Sequence, residues 1–380
     1  MQNFTYHNPT EIIFGQGTIS AIAARVPLTV PVLLLYGGGS IKRNGVYGQV
    51  KAALKDHPAL HEFGGVEANP LFETCLDAVA LVREKKIRFI LAVGGGSVLD
   101  AAKFIAAAAD HVGDPWEIPL THGRALQSAL PLGAVLTLPA TGSEANGNSV
   151  ISRRATREKL AFYSPLVYPV FSVLDPATTF SLPVKQVRNG IIDSFMHVME
   201  QYLTYPAQAP LQDRFAEGVV QTLVEVAPRA LAVTDDYESR AAFMWSATLA
   251  LNSLIGSGVP QDWSTHMIGH ELTAFYGLDH AETLAVVLTG VWRHQFDKKK
   301  AKLEQYGRRV WGVESASAAI ERTEDWLLSL DAPVRLSAYG IDAKEAAEKI
   351  RARFAERGTK LGEHGDITPD DVAEILLSRN

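Results

Sequence analysis

The chain has 380 residues, of which 47% are apolar and 21% charged, and this ordinary globular usage excludes a disordered, collagen-like or coiled-coil protein. At ~100–200 residues per domain the length predicts two domains. Lys plus Arg number 36 against 42 for Asp plus Glu, a net charge of −6 that argues against nucleic acid or an anionic membrane as the main partner.

Residues 32–36 and 88–93 are short apolar runs, each closed by three glycines, the pattern of strands buried on both faces of a parallel sheet. Between them, residues 70–86 set Leu71, Cys75, Ala78, Val79 and Val82 on one helical stripe. Strand, helix and strand in that order predict an α/β domain, and residues 132–138 and 170–174 continue the strand series. After Leu182-Pro183 only helical patterns follow, over 189–202, 211–231, 237–255 and 316–330. The expected division is therefore an α/β domain over 1–182 and a helical domain over 183–380. Lys298, Lys299 and Lys300 read as a solvated helix face.

The only cysteine, Cys75, can form no internal disulfide, and the opening MQNFTYH carries neither the basic nor the apolar region of a secretory signal. The most apolar stretch, 104–109, is far short of the ~20 residues that span a bilayer. A soluble, cytoplasmic protein is expected.

The same device closes the first two strands: Gly37, Gly38, Gly39 and Ser40, then Gly94, Gly95, Gly96 and Ser97. Such glycines let a backbone approach a ligand closely, and a following helix N-terminus offers free N–H groups. Ser97 is expected to cap a helix running on through Asp100 and Lys103, which would make a phosphate cradle; a plain β–α turn fits the same residues. Position 99 is leucine, so the Rossmann fingerprint is incomplete, and the P-loop ending is absent. A third loop, Thr137 to Glu144, brings hydroxyls and Gly142 to the carboxyl end of another strand, where open α/β sheets bind ligands.

Asp193 and His197 stand four apart, as do His266 and His270, and His280 lies fourteen residues past His266. Four-residue spacing puts side chains on one helical face, and a carboxylate with imidazoles suits Fe²⁺ or Zn²⁺. Spacing alone leaves open whether His266 or His270 would be the ligand. The order His266-Met267-Ile268-Gly269-His270-Glu271 fits neither zincin motif, which disfavours peptidase chemistry.

Five ordered motifs carry a family resemblance: Gly94 to Asp100, Thr137 to Glu144, Asp175-Pro176, Asp193 to His197, and His266 to Glu271 followed by Gly277 to Ala281. On these the chain resembles the iron-containing (group III) alcohol dehydrogenases along essentially its whole length. It is most similar to their bacterial NADPH-dependent aldehyde reductase, or butanol dehydrogenase, branch. The resemblance implies a Rossmann-like α/β dinucleotide-binding domain, an all-α domain, and an active site in the cleft between them. It implies one divalent ion, Fe²⁺ or Zn²⁺, on Asp193, His197, His266 and His280 and leaves His270 beside it, where a neutral imidazole is expected to relay a proton, with packing against the cofactor as the alternative. It sets NADP(H) on the two Gly-Gly-Gly-Ser loops and Asp100, with further contacts at Asn69, Thr137, Thr141, Asn146, Lys159, Thr178 and Ser181. The ion would polarise a small aldehyde for hydride transfer, yielding a primary alcohol, and the assembly would be a homodimer without nucleic-acid or membrane partners. Relatives that use NAD carry an acidic residue where this chain has Gly39, and Ser40, Lys42 and Arg43 follow as partners for a 2′-phosphate. Two rival readings are a dehydroquinate synthase-like lyase, whose family uses a Glu with two His, and a non-catalytic nucleotide-binding module.

Overall fold

A computed structural model describes all 380 residues. Packing divides the chain into two compact units, one of residues 7–187 with 229–248, the other of residues 1–6, 188–228 and 249–380. Neither is a continuous segment. The chain passes between them beyond the expected boundary at 182/183, and again at Pro228 inside a long helix.

The first unit contains β1 (Glu11–Phe14), β2 (Val32–Gly37), β3 (Leu60–Val66), β4 (Phe89–Gly95), β5 (Leu132–Leu138), β6 (Asn148–Arg153), β7 (Glu158–Tyr163) and β8 (Phe171–Leu174). Six of these form one parallel sheet in the order β1-β8-β5-β4-β2-β3, while β6 and β7 make a separate antiparallel pair. The helices of this unit are α1 (Ser40–Arg43), α2 (Val46–Ala53), α3 (Phe72–Glu84), α4 (Gly96–Ala108) and α5 (Glu117–Leu120). Alternate residues of the central strands feed two cores. Leu33, Leu35, Ile90 and Ala92 pack with α3 and α4, and Val32, Leu34, Leu91 and Val93 pack with Ile22, Val46 and Val50 on the other face. Two-sided burial is what the apolar runs predict for a parallel sheet.

The second unit is helical, with α6 (Val184–Tyr202) and α7 (Pro210–Ala232). Next in the chain comes α8 (Tyr237–Ala250), which packs with the sheet: Met244 joins its core, the Arg240 guanidinium donates to the Thr179 carbonyl at 2.9 Å, and Thr248 Oγ1 donates to Glu144 Oε1 at 2.6 Å. The helical unit resumes with α9 (Ser264–Tyr276), α10 (His280–His294), α11 (Phe296–Tyr306), α12 (Ala316–Ser329), α13 (Ala343–Glu356) and α14 (Pro369–Leu377). Ile268, Leu272, Val287, Ile350, Phe354 and Ile375 share its core.

Three expectations are corrected. The helix expected over 237–255 ends at Ala250, and Ser253, within the expected range, adopts left-handed backbone with φ of 74° that a helix cannot continue through. Ser97 does not cap α4; the N-cap is Gly95, and Ser97 Oγ instead accepts the Asn69 N–H at 3.3 Å. Lys299 is not solvated but 1% exposed, and its ammonium donates to the Leu203 carbonyl at 2.7 Å and pairs with Asp262 at 2.9 Å and Glu363 at 3.0 Å.

Removing one partner of a buried ion cluster strands the others without compensation, at a cost of about 3–5 kcal/mol. Lys299→Met is therefore expected to lower unfolding stability by about that amount, while Lys300→Met, at an exposed position, changes it by less than ~0.5 kcal/mol. Urea unfolding of the two variants checks the contrast.

Candidate metal centre and cofactor loops

Helix α6 carries Phe195, Met196, Val198 and Met199, all fully buried, so its polar residues enter the interior with them. Asp193 and His197 are each 4% exposed on this helix. Helix α9 supplies His266 and His270, and its start is fixed by Asp262, whose Oδ1 accepts the Ser264 N–H at 3.0 Å. Gly277, at φ 71°, ends α9 and turns the chain so that His280 opens α10. The two helices approach closely at Gly269, where an added Cβ would lie 2.7 Å from Thr283 Oγ1.

The result is a convergence on one oxygen. Asp193 Oδ1 lies 3.7 Å from His197 Nε2, 3.8 Å from His266 Nε2 and 3.7 Å from His280 Nε2. Donor atoms of Asp193, His266 and His280 all lie within 4.8 Å of one another. Ligands ~2.1 Å from a common tetrahedral ion stand ~3.4 Å apart, so these separations suit a divalent cation. His266 Nε2 is buried and has no hydrogen-bond partner, whereas its Nδ1 hydrogen-bonds the Glu200 carboxylate. Burial opposes a charge on His266, and the Glu200 and Asp193 carboxylates outweigh it, so its pKa is pushed up to about 9. His270 is 7% exposed, with its ring centroid 5.2 Å from that of His280 and 6.3 Å from that of His266.

Sequence reasoning missed Glu200. Its signal was the spacing Asp193, His197, Glu200, which keeps three polar side chains on one face of α6.

In the α/β unit the glycine loops leave adjacent strands. β2 pairs with β4 in register (Tyr36 opposite Val93), and connections from this pair run outward in opposite directions, the switch point at which open sheets bind ligands. The second loop is crowded: added Cβ atoms would meet Val98 at 2.5 Å from Gly94, Leu138 at 2.9 Å from Gly95 and Thr141 at 2.5 Å from Gly96. Only glycine lets the backbone pass so near. The first loop is open, with nothing within 4 Å of a Cβ at Gly38 or Gly39. It borders a recess lined by Tyr36, Gly37, Gly38, Gly39, Lys42, Arg43, Gly64 and Gly65. Lys42 Nζ lies over the Tyr36 ring at 4.8 Å and the Tyr47 ring at 5.1 Å, and a hydrogen bond with Tyr36 raises its pKa.

The other expected contacts fall into groups. Lys159 Nζ donates to Asn69 Oδ1 at 2.8 Å, and Asn69 reaches Ser97, so these three meet beside the second loop. Ser181 Oγ accepts from Asn44 Nδ2 at 3.1 Å, behind the first loop. Thr137 and Thr178 are buried, and Thr178 Oγ1 donates to the Asp175 and Leu136 carbonyls. Asp100 and Asn146 belong to a buried network. Lys103 Nζ donates to Ser143 Oγ, Asn146 Oδ1 and the Asn148 carbonyl at 2.8, 3.1 and 2.7 Å, and Ser143 Oγ donates to Asp100 at 2.7 Å. Burial lowers the Lys103 pKa to about 8 and raises that of Asp100. Asn146 Nδ2 also donates to the Thr141 carbonyl at 3.2 Å, so the network holds the Thr141 loop against α4.

A parallel sheet with a glycine-lined switch point, together with a carboxylate facing three imidazoles, defines a metal-dependent dehydrogenase. The chain belongs to the iron-containing alcohol dehydrogenase family, whose model matches residues 9–176 and whose C-terminal model matches residues 188–379. It is 53% identical to the NADPH-dependent aldehyde reductase YqhD of Escherichia coli over 97% of each chain. The crystal structure of that protein superposes with a TM-score of 0.98, at 51% identity, covering 100% of this chain and 99% of the other. The chain is 42% identical to NADP-dependent alcohol dehydrogenase 3 of Entamoeba histolytica, over 99% of this chain and 98% of that one. It is 38% identical to NADH-dependent butanol dehydrogenase B of Clostridium acetobutylicum, again over 99% and 98%. No helix is long and apolar enough to cross a membrane.

Proposed function

We propose that this protein reduces small aldehydes to primary alcohols with NADPH, using one divalent ion held by Asp193, His197, His266 and His280. The observation that carries the reading is the approach of three imidazole Nε2 atoms to within 3.7–3.8 Å of one Asp193 oxygen. When bound, the ion supplies Lewis-acid polarisation of a carbonyl oxygen, and the nicotinamide supplies hydride. The protein's own residues do the positioning. Gly95, Gly96 and Ser97 would offer backbone N–H groups at the start of α4 to the pyrophosphate. Lys42 and Arg43 would meet a 2′-phosphate in the recess beside Gly39. His270 would pass a proton from its ring to the oxygen that hydride addition leaves negatively charged, a task imidazole performs near neutral pH. The lone, buried Cys75 favours a cytoplasmic setting. A homodimer remains part of the proposal, and sedimentation tests it.

The ligand set is tested by metal analysis. His197→Ala and His280→Ala are expected to lose bound metal and turnover together, and stoichiometric metal in His280→Ala would contradict the assignment.

The cofactor preference is tested at Gly39. Gly39→Asp is expected to shift preference towards NADH by supplying a ribose-binding carboxylate that repels a 2′-phosphate. Gly39 has φ 90°, so the substitution also costs ~1–2 kcal/mol of backbone strain. The readout is therefore the ratio of kcat/KM for the two cofactors, not the activity itself, and equal efficiency of the unaltered enzyme with both would overturn the proposal.

His270→Ala is expected to keep its metal and lose turnover by up to the ~10²–10⁴-fold range of general acid assistance. A raised KM for NADPH at unchanged kcat would instead make His270 a packing residue, and loss of metal would make it a ligand.

A further inference from the structure

The two nitrogens of the His266 ring face opposite partners. Nε2 points towards Asp193, while Nδ1 hydrogen-bonds Glu200 Oε2. Glu200 stands on the far side of His266 from the ion-binding cluster, so it is not placed as a ligand itself. It is 4% exposed, and its other oxygen, Oε1, accepts the Thr265 N–H at 2.6 Å and the His266 N–H at 3.3 Å. The backbone of the same residue is also used, since the Asp262 N–H donates to the Glu200 carbonyl at 2.8 Å. Glu200 therefore touches both ends of the turn that opens α9, as well as the ring that α9 delivers.

We propose that Glu200 is a positioning residue that fixes the tautomer of His266, keeping a proton on Nδ1 and the lone pair of Nε2 turned towards the ion. The inference rests on the ligand set proposed above and assigns a role to a residue outside it. A carboxylate is required on chemical grounds. It accepts at both oxygens, so one serves the Thr265 and His266 N–H groups and the other the imidazole N–H. Glutamine has nearly the same shape but only one accepting oxygen. With that oxygen on the Thr265 N–H, its amide NH₂ faces Nδ1 and requires Nδ1 to accept. The ring proton then moves to Nε2 and occupies the lone pair that ligation needs. With the amide turned the other way, NH₂ confronts the two backbone N–H groups, and a buried donor is left without an acceptor. Either way Glu200→Gln preserves volume and removes the electronic support.

The test is Zn²⁺ affinity of the metal-free full-length protein, measured by chelator competition, alongside its urea midpoint. E200Q is expected to bind Zn²⁺ ~10–100-fold more weakly than the unaltered chain. Its zinc-loaded form is expected to lack the downfield Nδ1–H proton resonance of a carboxylate-bonded imidazole. E200D, which keeps two accepting oxygens but withdraws them by one methylene, is expected to fall between the two and serves as the decisive variant if E200Q does not fold. Zinc affinity in E200Q or E200D equal to that of the unaltered protein would overturn the role of Glu200. Failure of the unaltered chain to bind zinc, or full affinity in His266→Ala, would instead overturn the ligand set.

Discussion

One oxygen of Asp193 organises the helical unit. A carboxylate and three imidazoles gathered together, with Asp193, His197 and His266 buried and His280 partly exposed, are unfavourable unless a cation or hydrogen bonds compensate them, so the helices that carry them must meet accurately. Several features of α6, α9 and α10 serve that meeting. Gly269 lets α9 and α10 close together, Gly277 reverses the chain between them, and Asp262 holds the first turn of α9. Asp262 is held in turn by Lys299, which also reaches the carbonyl of Leu203 just past the end of α6. A single ammonium therefore ties the end of α6 to the beginning of α9.

The α/β unit solves a related problem with a different cation. Its second glycine loop and its Thr141 loop belong to adjacent strands. Lys103 uses all three of its protons on the segment from Ser143 to Asn148, and Ser143 returns to Asp100 one turn earlier on α4. A buried network of this kind is favourable only when every member is satisfied, which ties the identities of Asp100, Ser143 and Asn146 to one another. These residues hold the Thr141 loop in shape through their protein partners.

Much of this was legible in the chain. The central strands declared themselves because they are buried on both faces and so read as unbroken apolar runs. The edge strands β1 and β3 did not, since half-exposed strands carry polar residues such as Glu11, His61 and Glu62 and lose the pattern. The four residues that converge around one Asp193 oxygen were visible as type and spacing, with the family resemblance choosing His266 and His280. What spacing could not show was the surrounding support. Glu200 shares a helical face with Asp193 and His197, but its burial against α9 does not show in the sequence, and Lys299 sits within a run of three lysines whose neighbours are exposed; burial is a property of tertiary contact, and one sequence does not display it. The end of α8 was misjudged for a similar reason, because apolar residues at 251, 254 and 255 continue a helical pattern that the left-handed Ser253 interrupts.

The excursion of α8 bears on how such a chain can become folded as it is made. The sheet draws part of its core from Met244, and the Thr141 loop draws a buried hydrogen bond from Thr248. A ribosome that has released the last strand, β8, has therefore not yet released everything the sheet requires. More than sixty further residues, including two helices of the other unit, must emerge before α8 arrives. The helical unit waits in the same way, since residues 1–6 belong to it and their partner Gly258 is synthesised much later. Domains usually complete themselves in order from the N-terminus. Here the order is interleaved: the sheet unit lacks residues 229–248 until part of the helical unit has been made, and the helical unit, begun with residues 1–6, is the last to be completed.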